Sequence, residues 1–133
     1  MSDLALDASA VLAYLQQEPG AARVETALLE DRCYLLTVNL AEVLTRLADW
    51  KIPPDAAEER IAGMDMVFVP FDREMAGLTA ALRQTTRALG LSLADRACLA
   101  LAQKMAIPVL TADRAWLDLK TDIRVEFIRP PSG

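Results

Sequence analysis

The chain of 133 residues contains no histidine. That absence removes Ser-His-Asp and Cys-His nucleophilic chemistry, paired-histidine acid–base catalysis and most zinc sites. Cysteine is scarce as well. Cys33 and Cys98 sit inside apolar patterns with no C-x-x-C spacing, which reads as two buried thiols in a reducing compartment. No apolar run approaches the roughly 18 residues that cross a bilayer, so no membrane partner is expected. The N-terminus begins with acids and lacks the basic region of a signal peptide, which makes the cytoplasm the expected location. Positive charge is in deficit: 14 Lys and Arg against 19 Asp and Glu leave a net charge of −5. Such a balance argues against unspecific adhesion to nucleic acid, which basic surface and counterion release drive. It leaves room for a nucleic-acid substrate where part of the negative charge cages a metal and arginines line the approach.

What is present is an apolar, moderately charged chain, 53% and 25% respectively, which reads as one globular domain over 1–133 with a loose tail at 130–133. The stretch Leu4-Ala5-Leu6-Asp7 sets its organisation. A short apolar run ending in an acid predicts a strand buried on both faces, with a carboxylate at its C-terminal end. Helices are then expected over 10–17 and 21–30, a strand over 33–37, and amphipathic helices over 39–51 and 55–63. A third strand over 66–71 leads to a long helix from an Asp72 cap to about Ala88, and Ser92 opens another helix to Met105. A strand over 107–111, a short helix over 113–119 and a last strand over 124–128 complete the alternation. Strands separated by helices predict a parallel, doubly wound α/β sheet.

For hard chemistry there remain carboxylates, which select hard cations such as Mg²⁺ or Mn²⁺. Asp7 and Asp113 directly follow buried strands, so a parallel sheet brings both to one edge. Glu42 and Asp95 each fall in the first turn of a helix starting near that edge. Four carboxylates so gathered repel one another unless a cation sits between them. Each also has an ordinary structural role: Asp7 and Asp113 as helix caps, Glu42 as an i,i+4 partner of Arg46, and Asp95 closing a capping box with Ser92. Asp72 has the same grammar as Asp7 and Asp113, and spacing alone does not exclude it. Ser9, Asn39 and Thr111 are supporting polar candidates, able to order a metal shell or to cap locally. Arg46, Arg83, Arg87, Arg96 and Arg114 are candidate phosphate contacts or solvated surface, with Arg46, Arg96 and Arg114 nearest the acids in sequence. Trp50 and Trp116 are candidates for stacking on a base or for core and interface packing.

The segments "LALDASAVLAYLQQEPG", "TVNLAEVLTRL", "GLSLADRACLALAQKMAIPVLTADRAW" and the closing "VEFIR" resemble PIN-domain proteins, specifically the VapC toxins of type II toxin–antitoxin systems. The resemblance runs from Leu4 to Arg129 and is most specific between Gly90 and Trp116. It implies a three-layer α/β/α fold on a parallel sheet of four to five strands. It further implies that Asp7, Glu42, Asp95 and Asp113 bind Mg²⁺ or Mn²⁺, with Ser9 and Asn39 beside them, and that Asp72 does not. Many relatives have glycine where this chain has Ala94. The function implied is a metal-dependent endoribonuclease acting on structured RNA such as tRNA or rRNA, neutralised by a VapB-type antitoxin, and a homodimer. The alternatives are a PIN-like interaction module without turnover and a Mg-dependent phosphatase or phosphotransfer domain. The latter usually places a second acid two residues after the first, where this chain has Ser9.

Overall fold

In β1 (Asp3–Leu6), Leu4 and Leu6 point to one face of the sheet and Ala5 to the other, all buried. The computed structural model describes residues 2–129, and the tail expected at 130–133 lies outside them. After β1 come α1 (Ala8–Leu15), α2 (Ala21–Glu30), β2 (Arg32–Leu36), α3 (Thr37–Asp49) and α4 (Pro54–Ala62). Then follow β3 (Val67–Val69), α5 (Arg73–Ala81), α6 (Arg83–Thr86), α7 (Leu93–Met105), β4 (Val109–Thr111) and β5 (Val125–Phe127). The five strands among the described residues pair in parallel in the order β3-β2-β1-β4-β5.

Two apolar layers enclose this sheet. On one side Leu4, Leu6 and Leu35 pack against Val11, Val24, Leu47 and Ile61 of α1 to α4. On the other, Ala5, Leu36 and Val109 meet Met75, Ala97, Leu101 and Trp116. The result is a three-layer α/β/α sandwich, as the sequence predicts. Each fully buried leucine contributes about 1.5–3 kcal/mol through removal of its surface from water. Chain reversals on either side of β1 run in opposite directions, so a crevice opens between the carboxyl ends of β1 and β4.

Several boundaries differ from expectation. The helix opened by Asp72 ends at Ala81 rather than Ala88 and gives way to α6 and a 3₁₀ turn over Arg87–Leu89. Threonine is a poor helix former, and this stretch is rich in it. Thr79 and Thr86 bond back to the carbonyls of Met75 and Leu82, both at 2.7 Å, a contact that bends helices. The third strand shrinks to Val67–Val69 because Pro70 has no N–H to continue the ladder. The segment after β4 is a 3₁₀ helix, Arg114–Asp118, not an α-helix. α3 begins at Thr37, so Glu42 stands in its second turn and not its first. Both thiols are buried, as expected, and burial pushes the Cys33 thiol up to about 11. No helix among the described residues is long and apolar enough to cross a membrane.

Candidate active site

Asp7 ends β1 and caps α1: its Oδ1 accepts the amide of Ala10 at 2.9 Å. Two hydroxyls also donate to it, Ser9 Oγ at 2.8 and 2.9 Å and Thr111 Oγ1 at 2.5 Å. Both hydroxyls are oriented from behind, because the amide of Ala112 donates to Ser9 Oγ and that of Asp113 to Thr111 Oγ1, each at 2.9 Å. With a proton arriving on each oxygen, each hydroxyl turns its own proton toward Asp7. The network ties the loop after β4 to the end of β1, and so fixes Asp113 relative to Asp7. Asp7 is only 3% exposed, and burial raises its pKa from 3.8 to about 6. The three hydrogen bonds pull the other way, and the charge of Asp95 adds to the rise.

Asp95 occupies the third position of α7, where its carboxylate accepts the amide of Ser92 while Ser92 Oγ accepts the amide of Asp95, each at 3.1 Å. The expected capping box is therefore present, and Asp95 faces the cavity at the same time. Asp113 likewise caps the 3₁₀ turn through the amide of Ala115 at 2.9 Å. Burial raises the pKa of Glu42, Asp95 adds to the effect, and Asn39 and Arg46 oppose it. Asp7, Asp95 and Asp113 thus each cap a helix and line the cavity at the same time.

All four acids line one cavity of about 520 Å³ at the carboxyl edge of the sheet, together with Ser9 and Arg46. Asp72 does not line it; its carboxylate caps α5 through the amide of Met75 at 2.9 Å. The same cavity is lined by Thr45 and Asp49, which the sequence reading missed. Helical spacing was the signal for both: positions 42, 45 or 46, and 49 recur on one face of α3.

Asn39 is buried and donates to the Ala94 carbonyl at 3.1 Å and to Glu42 at 3.3 Å. It joins α3 to the start of α7 and thereby sets Glu42 against Asp95. Its Oδ1 is buried without a hydrogen-bond partner. Replacing Asn39 with alanine removes its bonds to the Ala94 carbonyl and to Glu42 and is expected to cost about 0.5–1.5 kcal/mol, read as a lower urea midpoint. An unchanged midpoint would show that this bridge carries no weight.

The arginines divide. Arg46 lines the cavity, and Arg114 is exposed one residue beyond Asp113. Arg96 is half-buried and donates to the Thr79 carbonyl of α5 at 3.2 Å. Trp116 is 2% exposed and belongs to the core, whereas Trp50 is 42% exposed.

Hard oxygen donors with no imidazole among them suit Mg²⁺ or Mn²⁺. Among the described residues no three acids stand close enough to form a cage by themselves. That spacing fits Mg²⁺, which dehydrates reluctantly and usually binds through one or two carboxylates plus its own waters. The charge of Asp95 disfavours ionisation of both Asp7 and Glu42, a repulsion that a nearby cation would relieve.

A parallel α/β/α domain with four acids converging at its topological switch point defines a class of acidic-site proteins. The model of the PIN domain family matches residues 4–121, and the chain belongs to that family. No curated protein sequence matches it significantly. Among solved structures it is similar to VapBC-5 from Mycobacterium tuberculosis, a member of the VapBC family of toxin–antitoxin systems. The identity is 28%, with 98% of this chain and 100% of that one covered and a TM-score of 0.63. VapBC2 from Rickettsia felis, bound to a DNA fragment from its promoter, matches at 13% identity, 94% and 98% coverage and a TM-score of 0.72. DNA-bound VapBC from Salmonella typhimurium matches at 18% identity, 96% and 99% coverage and a TM-score of 0.71.

Proposed function

We propose that the chain is a VapC-type toxin, a Mg²⁺- or Mn²⁺-dependent endoribonuclease that hydrolyses phosphodiester bonds in structured RNA such as tRNA or rRNA. The convergence of Asp7, Glu42, Asp95 and Asp113 on one cavity carries this reading. The likeness to VapBC structures supports it and supports a VapB-type antitoxin as partner. A homodimer and a cytoplasmic location complete the proposal.

One or two of Asp7, Asp95 and Asp113 directly, and the remaining acids with Glu42 through water, would hold the cation. When bound, such a cation would supply a water of lowered pKa and offset the charge that gathers in the transition state. Asp7, fixed by Ser9 and Thr111, keeps its orientation without reorganisation during the reaction. Asn39 holds Glu42 on the approach side, and a carboxylate of the cluster takes the proton of the attacking water. Arg46 stands where a substrate phosphate would rest. An arginine of an antitoxin would compete for the same acids.

With no histidine to activate a ribose 2′-OH, water is the nucleophile, and products should carry 5′-phosphate and 3′-hydroxyl ends. Sequencing RNA ends after incubation with purified protein and Mn²⁺ checks this. A 2′,3′-cyclic phosphate product would contradict the mechanism, and equal cleavage in excess chelator would contradict metal dependence.

A further inference from the structure

A second hollow of about 320 Å³ continues from the acid cavity and shares Ser9, Leu12, Arg46 and Asp113 with it. Trp50, Glu18 and Arg129 line the hollow but not the acid cavity. We infer that this extension holds the unpaired nucleotide adjoining the scissile phosphate, its base stacked on Trp50 and its phosphate on Arg46. The inference rests on the ribonuclease reading and adds to it the single-stranded form of the substrate at the cut.

The argument begins on α3. Glu42, Arg46 and Trp50 follow one another at intervals of four residues, so they lie along one face about 6 Å apart in rise. Carboxylate, guanidinium and indole thus run outward from the acid cavity in the order reacting phosphate, next phosphate, base. That spacing is of the order of one nucleotide step in an extended strand.

The backbone that carries the indole is fixed at the helix end rather than trailing on a loop. The amide of Trp50 donates to the Arg46 carbonyl at 3.1 Å, and the next two amides close the helix end on Ala48 and Leu47 at 2.9 and 3.0 Å. Lys51 takes a left-handed φ of 63°, which ends the helix directly after Trp50. A large aromatic ring left 42% exposed beside a cation and a polar groove is placed to stack rather than to fill a core.

In the same lining, Arg129 is pinned by its bond to the Pro19 carbonyl at 2.7 Å, and Glu18 stands in that lining too. Glu18 offsets the charge of Arg129 in that lining, so the part of the hollow outside the acid cavity offers a phosphate no net positive charge. An indole accepts a base only when the base has left its helix, so paired RNA is excluded from the hollow.

Trp50 reports on itself, since the second of the two tryptophans, Trp116, is buried. In the Asp95→Asn protein with Mg²⁺, a short single-stranded oligoribonucleotide should quench indole fluorescence, and Trp50→Phe should abolish the quench. A blunt duplex of the same sequence should produce none. In the otherwise native protein, Trp50→Ala should raise KM for a loop-containing RNA about 5- to 100-fold with kcat nearly unchanged, and Trp50→Phe should recover part of the loss. Circular dichroism of Trp50→Ala should match the native protein.

Unchanged kcat/KM for Trp50→Ala on an RNA that the native protein cleaves overturns the subsite and leaves the nuclease standing. Equal quenching by duplex and single strand overturns it too. Quenching by single strand alone, in a protein that cleaves no RNA, supports the subsite while the nuclease reading fails.

Discussion

Asp7→Asn should stabilise the metal-free protein above pH 6 and at the same time destroy its activity. Asp7 titrates near 6 in the fold and near 3.8 when exposed, because burial disfavours its charge. Between those values the folded state binds more protons than the unfolded one, so stability falls as pH rises. The favourable contribution of the protonated carboxyl is fully present below pH 3.8 and lost as pH passes through about 6. At about 1.36 kcal/mol per pKa unit, the loss above pH 7 amounts to about 3 kcal/mol. Asparagine carries no charge, so it avoids that loss. It accepts the Ala10 amide as before but leaves a hydroxyl of Ser9 or Thr111 without its acceptor, which offsets about 1 kcal/mol.

The net expectation is a melting temperature several degrees above the native protein at pH 7.5 in chelator, with the difference shrinking as pH falls from about 6 and reversed in sign below the exposed-carboxyl value of 3.8. Mg²⁺ or Mn²⁺ should raise the melting temperature of the native protein at pH 7.5 and leave Asp7→Asn unmoved. Cleavage by the variant should fall about a hundredfold or more, since several kcal/mol of transition-state stabilisation depend on the bound cation. A variant less stable than native at pH 7.5, or a difference independent of pH, would show that Asp7 is a cap and nothing else.

This opposition of stability and function also explains the packing around the acid. A buried carboxylate is costly, and a fold selected for stability alone would place a neutral side chain at position 7. Here two hydroxyls, each aimed by a backbone amide, reduce the cost without removing it. The remaining affinity for positive charge is the property a metal site needs.

Much of this was legible before any coordinates. The alternation of short apolar runs with helical periodicity predicts the parallel sheet, and Leu4-Ala5-Leu6-Asp7 predicts an acid at its edge. The convergence of the four acids was legible too, because parallel strands have one carboxyl edge. What failed locally was helix length after Asp72, where threonine hydroxyls compete for carbonyls that propensity sums assign to the backbone. Spacing could not separate Asp72 from Asp7 and Asp113. The grammar of strand, acid and helix is the same, and only the strand order, which puts β3 at the rim of the sheet, tells them apart. The network from Ala112 and Asp113 through two hydroxyls to Asp7 joins residues over a hundred positions apart and leaves no local trace. Trp116 in the core and Trp50 at the surface were indistinguishable for the same reason.

That ambiguity supplies the sharpest contrast the chain offers. Asp72→Asn and Asp95→Asn change the same atom in residues that both accept a helix-terminal amide. Asparagine accepts such an amide about as well as aspartate, so neither change should move stability by more than about 0.5 kcal/mol through capping. Their positions differ, since Asp95 lines the cavity beside Asp7 and Glu42 while Asp72 lies outside it. Asp95→Asn should therefore lower kcat/KM for RNA by about a thousandfold, equivalent to about 4 kcal/mol of transition-state stabilisation, and should relieve growth arrest on expression. Asp72→Asn should cleave RNA and arrest growth like the native chain. Calorimetric titration with Mn²⁺ separates the cause, with binding weakened in the first variant and intact in the second. If both variants keep full activity, the acids at this edge serve only as caps. If both lose it, the site extends to β3 and the cavity has been drawn too small.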